Sequence, residues 1–341
     1  MGTKRREKAL AKSIQKGLLR DPDRFKKSVW GSIRAFFTVH RIKLLRHEMH
    51  IFQGLRQDVW QFDEDQYQAS FRTTGGQPPL KIMGDLGYSG STFISTLDGR
   101  YVIKSLPRHF EYTFFESDLL QPYDDFMRHH PDSVLVWITD YILSPYTTLG
   151  TICGCTPAHH IVMENILCGK DEDPNGEKWE TYDLKPINYF YPERDLFPES
   201  LVSEDTLSKL ADTFNDKLHL WQNDADKFMN SIEADTQFLQ EANAVDYSLF
   251  LVRIPASSKP VVLGRKSPWR EGIVSSDGKW KYRIVILDFF WAKHKLHAQA
   301  LSGVVQTFNV VGQKGPMSIT TTAEEYRRNF LKMIREMIEV H

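Results

Sequence analysis

The sequence has little of what would place a protein outside the cell or within a bilayer. It contains 3 cysteines in 341 residues, and Cys153 and Cys155 have a C-x-C spacing that is not typical of zinc, although His159 and His160 follow nearby. No apolar run approaches the ~20 residues that a membrane-spanning helix needs. The N-terminus is charged from Lys4 onward and lacks a signal-peptide core. These absences predict an intracellular protein with reduced thiols.

Internal repeats and low-complexity tracts are also absent, and the composition is that of a folded protein. Hydrophobic residues make up 41% and aromatic residues 12% of the chain, which excludes a mainly disordered protein. A chain of this length can form one large domain or two lobes with a well-buried core.

Positive charge is concentrated in the first 50 residues. This segment holds 14 lysines and arginines against 4 acids, which gives it a net charge of +10. Because the whole chain has a net charge of −1, the remaining residues carry −11. A basic helical arm on an acidic body indicates attraction to an anionic surface, either lipid or nucleic acid. A solvated helix with a nuclear-localisation-like start explains the charge equally well. A nucleic-acid-binding module is the weakest alternative, because no DNA- or RNA-binding motif accompanies the basic residues.

Hydrophobic periodicity and turn residues predict a β-rich first half interrupted by one helix, and a second half built around long helices. The predicted helices are Ile51–Val59, Phe110–His129, Ser203–Ala244 and Thr322–Val340. The predicted strands are Thr92–Ser95, Tyr101–Ser105, Val134–Tyr141, His160–Ile166, one ending at Lys185, and Tyr282–Leu287. After Asp288 the chain is predicted to be loop-like through Ser318. This order predicts a basic helical extension (1–50), an N-terminal lobe (51–166) and a C-terminal lobe (167–341).

A Gly/Ser-rich turn at Gly87–Phe93 is the first candidate for binding a nucleotide. Glycines allow the backbone to approach phosphates, and free N–H groups can point at their oxygens. The following predicted strand carries Lys104, whose ammonium can neutralise phosphate charge. Protein kinases cover ATP with a strand–turn–strand of this kind.

Two acids in the second half are candidates for the chemistry. Asp246 follows a long predicted helix and precedes an apolar strand, and Asp288 ends the apolar run Ile284–Leu287. An acid at the end of a buried strand is costly unless it binds a metal or a partner. Phosphoryl transfer needs a lysine for the phosphates, carboxylates for Mg²⁺ and one carboxylate to orient the acceptor hydroxyl. Lys104, Asp246 and Asp288 supply these groups.

The chain resembles the phosphatidylinositol phosphate kinases over roughly residues 45–338. The matching motifs, in the family's order, are Gly87–Phe93, Val102–Lys104, Met163–Leu167, Asp183–Lys185, Asp246–Leu249 and Ile286–Asp288. Weaker similarities lie at Ile51–Arg56, Asp235–Leu239 and Tyr326–Phe330. The resemblance implies an α+β, two-lobed kinase-like fold related to SAICAR synthase, with an antiparallel-sheet N-lobe and a mixed α/β C-lobe.

The resemblance also implies a role for each matching residue. ATP would be bound by Lys104 and by the loop residues Gly87, Ser89, Gly90, Ser91 and Phe93, and its adenine by backbone groups of Glu164, Asn165 and Leu167. Glu111 would form an ion pair with Lys104, with Glu116 as the weaker alternative. Asp246 would orient the inositol hydroxyl and, with Asp288, coordinate Mg²⁺. Asp183 and the catalytic Lys185 would lie near the phosphates.

Two departures from the family pattern bear on this interpretation. Pro186 and Ile187 stand where the family has Gly and Ser, and proline removes an N–H and fixes φ. The segment after Asp288, where the family's specificity loop would lie, contains Lys293, Lys295 and Lys314 but lacks a clear match to the loops that distinguish phosphoinositide substrates.

The function expected from these residues is that of an ATP- and Mg²⁺-dependent lipid kinase. It would phosphorylate a phosphatidylinositol monophosphate, with phosphatidylinositol 4,5-bisphosphate as the expected product. The basic arm would hold it at the cytoplasmic face of an anionic membrane, no nucleic-acid partner is expected, and a homodimer and a nuclear pool both stay open. The alternatives are a pseudokinase that binds nucleotide or phosphoinositide without turnover, and a SAICAR synthase-like enzyme with a soluble substrate.

Overall fold

The computed structural model describes residues 2–21, 25–73, 75–76, 78–84, 91–186, 212–292 and 321–341. Its helices are α1 (Gly2–Leu18), α2 (Val29–Phe36), α3 (Met49–Gly54), α4 (Glu64–Ala69), α5 (His109–Phe114), α6 (Leu120–His129), α7 (Leu149–Ile152), α8 (Gln222–Glu241), α9 (Pro268–Glu271) and α10 (Ala323–Met337). Wider π-helical turns at Leu55–Val59 and Phe115–Leu119 continue α3 and join α5 to α6, and a 3-10 turn covers Gly176–Lys178. The strands are β1 (Leu45–Arg46), β2 (Leu80–Gly84), β3 (Phe93–Thr96), β4 (Tyr101–Ser105), β5 (Ile138–Leu143), β6 (His159–Glu164), β7 (Glu180–Leu184), β8 (Leu218–Leu220), β9 (Ala244–Val245), β10 (Ser248–Pro255), β11 (Ile273–Val274), β12 (Trp280–Leu287), β13 (Trp291–Ala292) and β14 (Ile338–Val340).

Two antiparallel sheets form the framework. The first has the strand order β1-β5-β6-β4-β3-β2 and the second the order β11-β12-β10-β7. Two short pairs complete the described strands: β9 with β13, antiparallel, and β8 with β14, parallel. Helices and antiparallel sheets in this combination make the protein an α+β protein.

The two sheets are joined by backbone hydrogen bonds. Val136 N–H donates to the Ile286 carbonyl at 3.0 Å, and Ile286 N–H donates to the Val134 carbonyl at 2.7 Å. The predicted strand Val134–Tyr141 is therefore divided, because its first residues pair with β12 in the second sheet and the residues from Ile138 onward form β5 in the first.

Three sequence predictions need correction here. The part of the predicted helix Ser203–Ala244 that lies in the described residues contains irregular chain and strand β8 before α8, which starts only at Gln222. The last helix ends at Met337, after which the chain forms β14. The predicted loop after Asp288 contains β13, and residues 293–320, including Lys293, Lys295 and Lys314, lie outside the described part of the chain.

The N-terminal basic segment contains two helices with different surroundings. On α1, Leu10, Ile14 and Leu18 are buried and belong to the hydrophobic core. On α2, no residue is buried. Among the residues described, no helix is long and apolar enough to cross a membrane. The first helix is thus part of the folded body, and the second lies on its surface.

Candidate active site

Asp246 and Asp288 lie side by side because two strand pairs flank them. Each acid follows one strand and precedes another: β9 and β10 flank Asp246, and β12 and β13 flank Asp288. Since β10 pairs with β12 and β9 pairs with β13, both acids occupy the bend between two ladders. Both have φ 65°, a left-handed conformation that costs an L-residue roughly 1–2 kcal/mol. The surrounding ladders hold this strain, as is often found at functional sites.

Two lysines from different sheets meet these acids. Lys104 Nζ of β4 lies 2.5 Å from Asp288 Oδ1. Lys185 Nζ, one residue beyond β7, donates to Asp246 Oδ1 at 2.9 Å. The three groups on which the sequence argument depends, Lys104, Asp246 and Asp288, therefore share one cleft between the sheets. Pro186 does not turn Lys185 away from it.

The charges in this cleft are coupled. Burial alone would raise the pKa of Asp288, but the neighbouring ammonium groups of Lys104 and Lys185 hold it below its usual range. Burial would lower the pKa of Lys185, but Asp246, Asp288 and Asp183 raise it. Both side chains are therefore charged at neutral pH, and the cleft presents carboxylates and ammonium groups together.

The carboxylates fit a magnesium site. Asp246 and Asp288 offer the hard oxygen ligands that Mg²⁺ prefers. Asp183, on β7, adds a buried carboxylate oxygen beside the Ser248 hydroxyl, and burial raises the pKa of this carboxyl. A cation bound between these groups would neutralise the acids.

The Gly/Ser-rich turn is described only at its end. Gly87, Ser89 and Gly90 lie outside the described residues, and Ser91 is buried. Phe93 is the register partner of Lys104 across β3 and β4, and Lys104 Nζ lies 5.7 Å from the centre of the Phe93 ring. The pairing of β3 with β4 thus fixes the position of Lys104 relative to Phe93.

The ion pair predicted between Lys104 and Glu111 is not a direct contact among the described residues, although the Lys104 ammonium lies near enough to oppose the rise in the Glu111 pKa that burial causes. The buried carboxylate of Glu111 instead accepts hydrogen bonds from Arg108 N–H at 3.2 Å and Trp291 Nε1 at 3.3 Å. The alternative, Glu116, accepts from the Tyr141 hydroxyl at 2.6 Å. Asp288 occupies the position beside Lys104 that the sequence assigned to a glutamate on α5, and nothing local in the sequence signals this exchange.

The segment predicted to hold adenine is largely engaged in internal hydrogen bonds. Glu164 N–H donates to Trp137, Asn165 N–H to Arg100, and Leu167 N–H to the Asn165 side-chain oxygen at 3.1 Å. The sequence analysis missed the partner of the Glu164 side chain. The carboxylate is buried and paired with Arg270 of α9 at 2.7 Å.

The weak sequence similarities near the C-terminus lie directly behind Asp246. The Tyr326 hydroxyl donates to the Tyr247 carbonyl, and the rings of Tyr326 and Phe330 pack edge-on against Tyr247. Arg327 Nε donates to Thr236 Oγ1 at 3.2 Å, which joins this motif to the Asp235–Leu239 motif of α8. Both motifs therefore support the turn that carries Asp246.

Lysines face carboxylates between two sheets, and one of these lysines lies on a strand that follows the Gly/Ser-rich segment in the sequence. Kinase-like phosphotransferases use this arrangement. The family model described as Phosphatidylinositol-4-phosphate 5-Kinase matches residues 74–273. The match covers more than half of the chain, which therefore belongs to this family, and the predicted resemblance and kinase-like α+β fold are confirmed.

Similar curated proteins carry related names. The mouse Phosphatidylinositol 4-phosphate 5-kinase-like protein 1 is 27% identical over 203 residues, 59% of this chain and 46% of that protein. The mouse and human 1-phosphatidylinositol 3-phosphate 5-kinases are each 24% identical over 298 residues, 82% of this chain and 12% of those proteins. The chain thus spans less than half the length of these relatives.

Proposed function

We propose that the protein is an ATP- and Mg²⁺-dependent lipid kinase that phosphorylates a phosphatidylinositol monophosphate at the cytoplasmic face of a membrane. The preferred substrate is phosphatidylinositol 4-phosphate, and the product is phosphatidylinositol 4,5-bisphosphate. The observation that carries this proposal is the meeting of Lys104 with Asp288 and of Lys185 with Asp246 in one cleft of a chain that belongs to this family.

Each group has a role in this reaction. Lys104 and Lys185 contact the phosphates and neutralise charge that develops during transfer. Asp288, with Asp246 and Asp183 beside it, would hold Mg²⁺, and the bound ion would supply further charge neutralisation on the phosphate oxygens. Asp246 accepts the proton of the inositol hydroxyl. The hydroxyl oxygen then bonds to the γ-phosphorus, and the bond between the γ-phosphorus and the β-phosphate oxygen breaks. Adenine binds at Glu164–Leu167, where the Leu167 N–H donates to a side-chain oxygen, that of Asn165.

The reaction is tested with labelled ATP and a panel of defined phosphoinositides in vesicles. Wild type should label phosphatidylinositol 4-phosphate, and product analysis should locate the new phosphate at position 5. Asp246→Asn should reduce the rate about 10²–10⁴-fold, the usual contribution of a positioned base. Asp226→Asn, a matched change at an exposed position on α8, should leave it unchanged. Label on another monophosphate would correct the substrate, and equal rates for both variants would refute the role of Asp246.

Membrane attachment is assigned to residues 1–50, with α2 as the element that enters the lipid interface. The apolar side chains of this helix face solvent: Trp30 is 82% and Phe37, just after the helix, 68% exposed. Exposed cations surround them at Lys26, Lys27 and Arg34. An apolar face bordered by cations matches an anionic bilayer surface, where tryptophan is favoured and each nearby cation adds about 1 kcal/mol.

Point substitutions test this attachment better than deletion, because removing residues 1–50 would also remove the buried face of α1. Sedimentation with phosphatidylserine-containing vesicles should show at least ~10-fold weaker binding for Trp30→Ser/Phe37→Ser, since each ring loses roughly 1.5–3 kcal/mol of burial. Ile152→Ser, at an exposed apolar residue elsewhere, is the control. Lys26→Glu/Lys27→Glu should weaken binding mainly at low salt. Unchanged binding by both double variants would exclude this surface.

A pseudokinase is the second candidate, favoured by one observation. The close pairing of Lys104 with Asp288 occupies both the phosphate-binding cation and the proposed metal ligand. A pseudokinase would bind ATP in a calorimetric titration yet label no lipid in the panel. Turnover that depends on Asp246 would exclude it.

A further inference from the structure

Three side chains converge at the parallel strand pair β8 and β14. From the sequence, both strands are predicted to be parts of helices. His219 of β8 is the register partner of Glu339 of β14. His341 follows two residues later, on the same side of the strand because side chains alternate, and its N–H continues the ladder to the Leu220 carbonyl at 2.9 Å. The backbone pairing therefore fixes the positions from which two imidazoles and one carboxylate meet.

The three facing atoms form a nearly regular triangle. His219 Nδ1 lies 3.1 Å from His341 Nε2 and 3.7 Å from Glu339 Oε1, and the latter two atoms are 3.5 Å apart. Zinc bonds of about 2.0–2.1 Å in tetrahedral geometry separate neighbouring ligand atoms by about 3.3–3.4 Å. The triangle thus has the dimensions of one face of a zinc tetrahedron, with its donor set of nitrogen and carboxylate oxygen.

The surroundings also suit a metal. Asp216 Oδ1 lies 3.7 Å from Nε2 of His219, the nitrogen that faces away from the triangle. A carboxylate at this place commonly fixes the ring orientation of a histidine that binds zinc. His219 and His341 border an open recess lined also by Trp221, Ser276, Asp277 and Lys279, so that water can reach a fourth coordination position.

This cluster is separate from the candidate active site. The His219 carbonyl accepts a hydrogen bond from Ser276 N–H. Ser276 shortly precedes β12, whose first residue, Trp280, pairs with Pro255 at one end of the second sheet. The acids lie at the opposite end of the same two strands, beyond Leu287. Seven residue steps of about 3.3 Å along β12 place the two sites ~23 Å apart.

We propose that His219, Glu339 and His341 bind one Zn²⁺ ion, with water as the fourth ligand, and that the ion ties β14 to β8. The ion links the end of α10, the helix that supports the Asp246 turn through Tyr326, to the body of the protein. It contributes to stability and takes no part in phosphoryl transfer.

The full-length chain, freed of metal with a chelator, is titrated with Zn²⁺ alone in a calorimeter. Wild type should bind one equivalent and unfold at a higher temperature with zinc than without. His219→Ala, His341→Ala and Glu339→Gln should each weaken binding by roughly 100-fold, the upper end of what loss of an outer-shell partner costs, and should abolish the thermal shift. His50→Ala and Cys153→Ser remove other exposed zinc-binding side chains and should leave both measurements unchanged.

A second readout separates coordination from nonspecific binding. Co²⁺ in the site should give the visible absorption of a four-coordinate tetrahedral complex, and Zn²⁺ should displace it. Equal zinc affinity in wild type and the three ligand variants, or loss of binding in Cys153→Ser, would overturn the proposal. Because the ligand side chains are partly exposed, the variants should match metal-free wild type in unfolding temperature. A lower value would mean that the cluster is a hydrogen-bonded structural element without a metal.

Discussion

Lys104 and Asp288 form an ion pair whose members differ in exposure. The Lys104 side chain is 4% exposed and that of Asp288 is 35% exposed. Asp288 also faces the second cation, Lys185, which lowers its pKa further. Removing Asp288 therefore leaves a buried ammonium group on Lys104. Removing Lys104 leaves a hydrated carboxylate on Asp288 that still faces Lys185.

We expect Asp288→Asn to destabilise the protein more than Lys104→Met. Leaving one charge of a fully buried pair without its partner costs about 3–5 kcal/mol. The asparagine variant should cost no more than the low end of this range, because Asp288 is partly exposed and Glu111 also interacts with the Lys104 ammonium. Lys104→Met should cost about 1 kcal/mol, because the carboxylate keeps water and Lys185. Urea unfolding of both single variants and of the double variant measures these costs. A double variant as unstable as the sum of the single variants would show that the pair contributes no coupling.

Asp235 of α8 is a second buried acid, and it gives the protein a defined pH dependence. Its Oδ2 accepts a hydrogen bond from Val134 N–H at 2.7 Å, at the segment that joins the two sheets. Burial raises its pKa to about 7 from an ordinary value of 3.8. Between these pH values the folded chain keeps a proton that the unfolded chain releases, so stability falls as pH rises through this window.

The Asp235 contribution should be fully present below about pH 4 and lost above about pH 7, with a slope of up to roughly 1.4 kcal/mol per pH unit. Asp235→Asn stays neutral and should flatten this slope. Asp226→Asn, an exposed change on the same helix, should preserve it. Unfolding free energies measured by urea titration from pH 4 to pH 8 test the prediction, and equal slopes for all three proteins would contradict it.

At the scale of secondary-structure elements, apolar spacing and turn residues predicted the helices and strands whose formation depends on neighbouring residues in the sequence. Strand β4 has the predicted bounds Tyr101–Ser105, and the predicted helix Phe110–His129 corresponds to α5, its π-helical turn and α6. The predictions failed where pairing is long-range. The helical spacing of apolar residues in the predicted helix Ser203–Ala244 could not reveal β8, because this strand pairs with β14, more than a hundred residues away.

In the candidate site, too, local motifs were predictable from the sequence and long-range contacts were not. Motifs with a fixed spacing, such as Asp183–Lys185 and Ile286–Asp288, were recognisable in the sequence, and the structure brings Lys104, Lys185, Asp246 and Asp288 together. The direct contact of Lys104 with Asp288 rather than Glu111 was not predictable, because it depends on how the two sheets approach. Arg270 was missed for the same reason, since nothing in its local sequence distinguishes it from a surface arginine.

Arg270 makes the short helix α9 a structural link. Its guanidinium donates to the Glu164 carboxylate and to the carbonyls of Ser133 and Leu135 at 2.7 and 2.8 Å, and all of it is buried. Arg270→Met should lower the unfolding free energy by about 3–5 kcal/mol, because the buried Glu164 carboxylate loses the cation paired with it and keeps the Trp137 N–H as a hydrogen-bond donor. Arg328→Met, which removes an exposed pair with Glu325, should cost less than about 1 kcal/mol. Similar losses in the two variants, measured by chemical denaturation, would show that Arg270 contributes only surface contacts.

At the scale of the whole molecule, the two sheets are held together on more than one side of the cleft. The bridge between Leu135 and Ile286 joins them directly. A loop that follows β10 adds a second connection, where Arg265 N–H donates to the Trp60 carbonyl at 2.6 Å. This loop passes behind the predicted adenine segment, because Val261 packs on Gly169 and its carbonyl accepts from Arg283. The separation of the sheets, and hence the width of the cleft, depends on both connections.

Two glycines with nearly the same backbone conformation isolate the loop's contribution. Gly264 has φ +61° and Gly278 has φ +69°, so alanine at either position suffers the same left-handed strain of roughly 1–2 kcal/mol. A Cβ on Gly264 would lie 2.2 Å from the Trp60 carbonyl oxygen, whereas one on Gly278 would meet nothing within 4 Å. Gly264→Ala must therefore push the loop away from Trp60, an overpacking cost of about 1–3 kcal/mol beyond the shared strain.

We expect Gly264→Ala to be the less stable of the two variants by that difference, and to bind ATP more weakly because the support behind Glu164–Leu167 is displaced. Thermal unfolding and calorimetric ATP titration of the matched pair measure both effects. Equal stability would mean that the loop moves freely without disturbing the sheets. Lower stability of Gly264→Ala with unchanged ATP affinity would mean that the loop stabilises the fold while the bridge between Leu135 and Ile286 alone determines the geometry of the cleft.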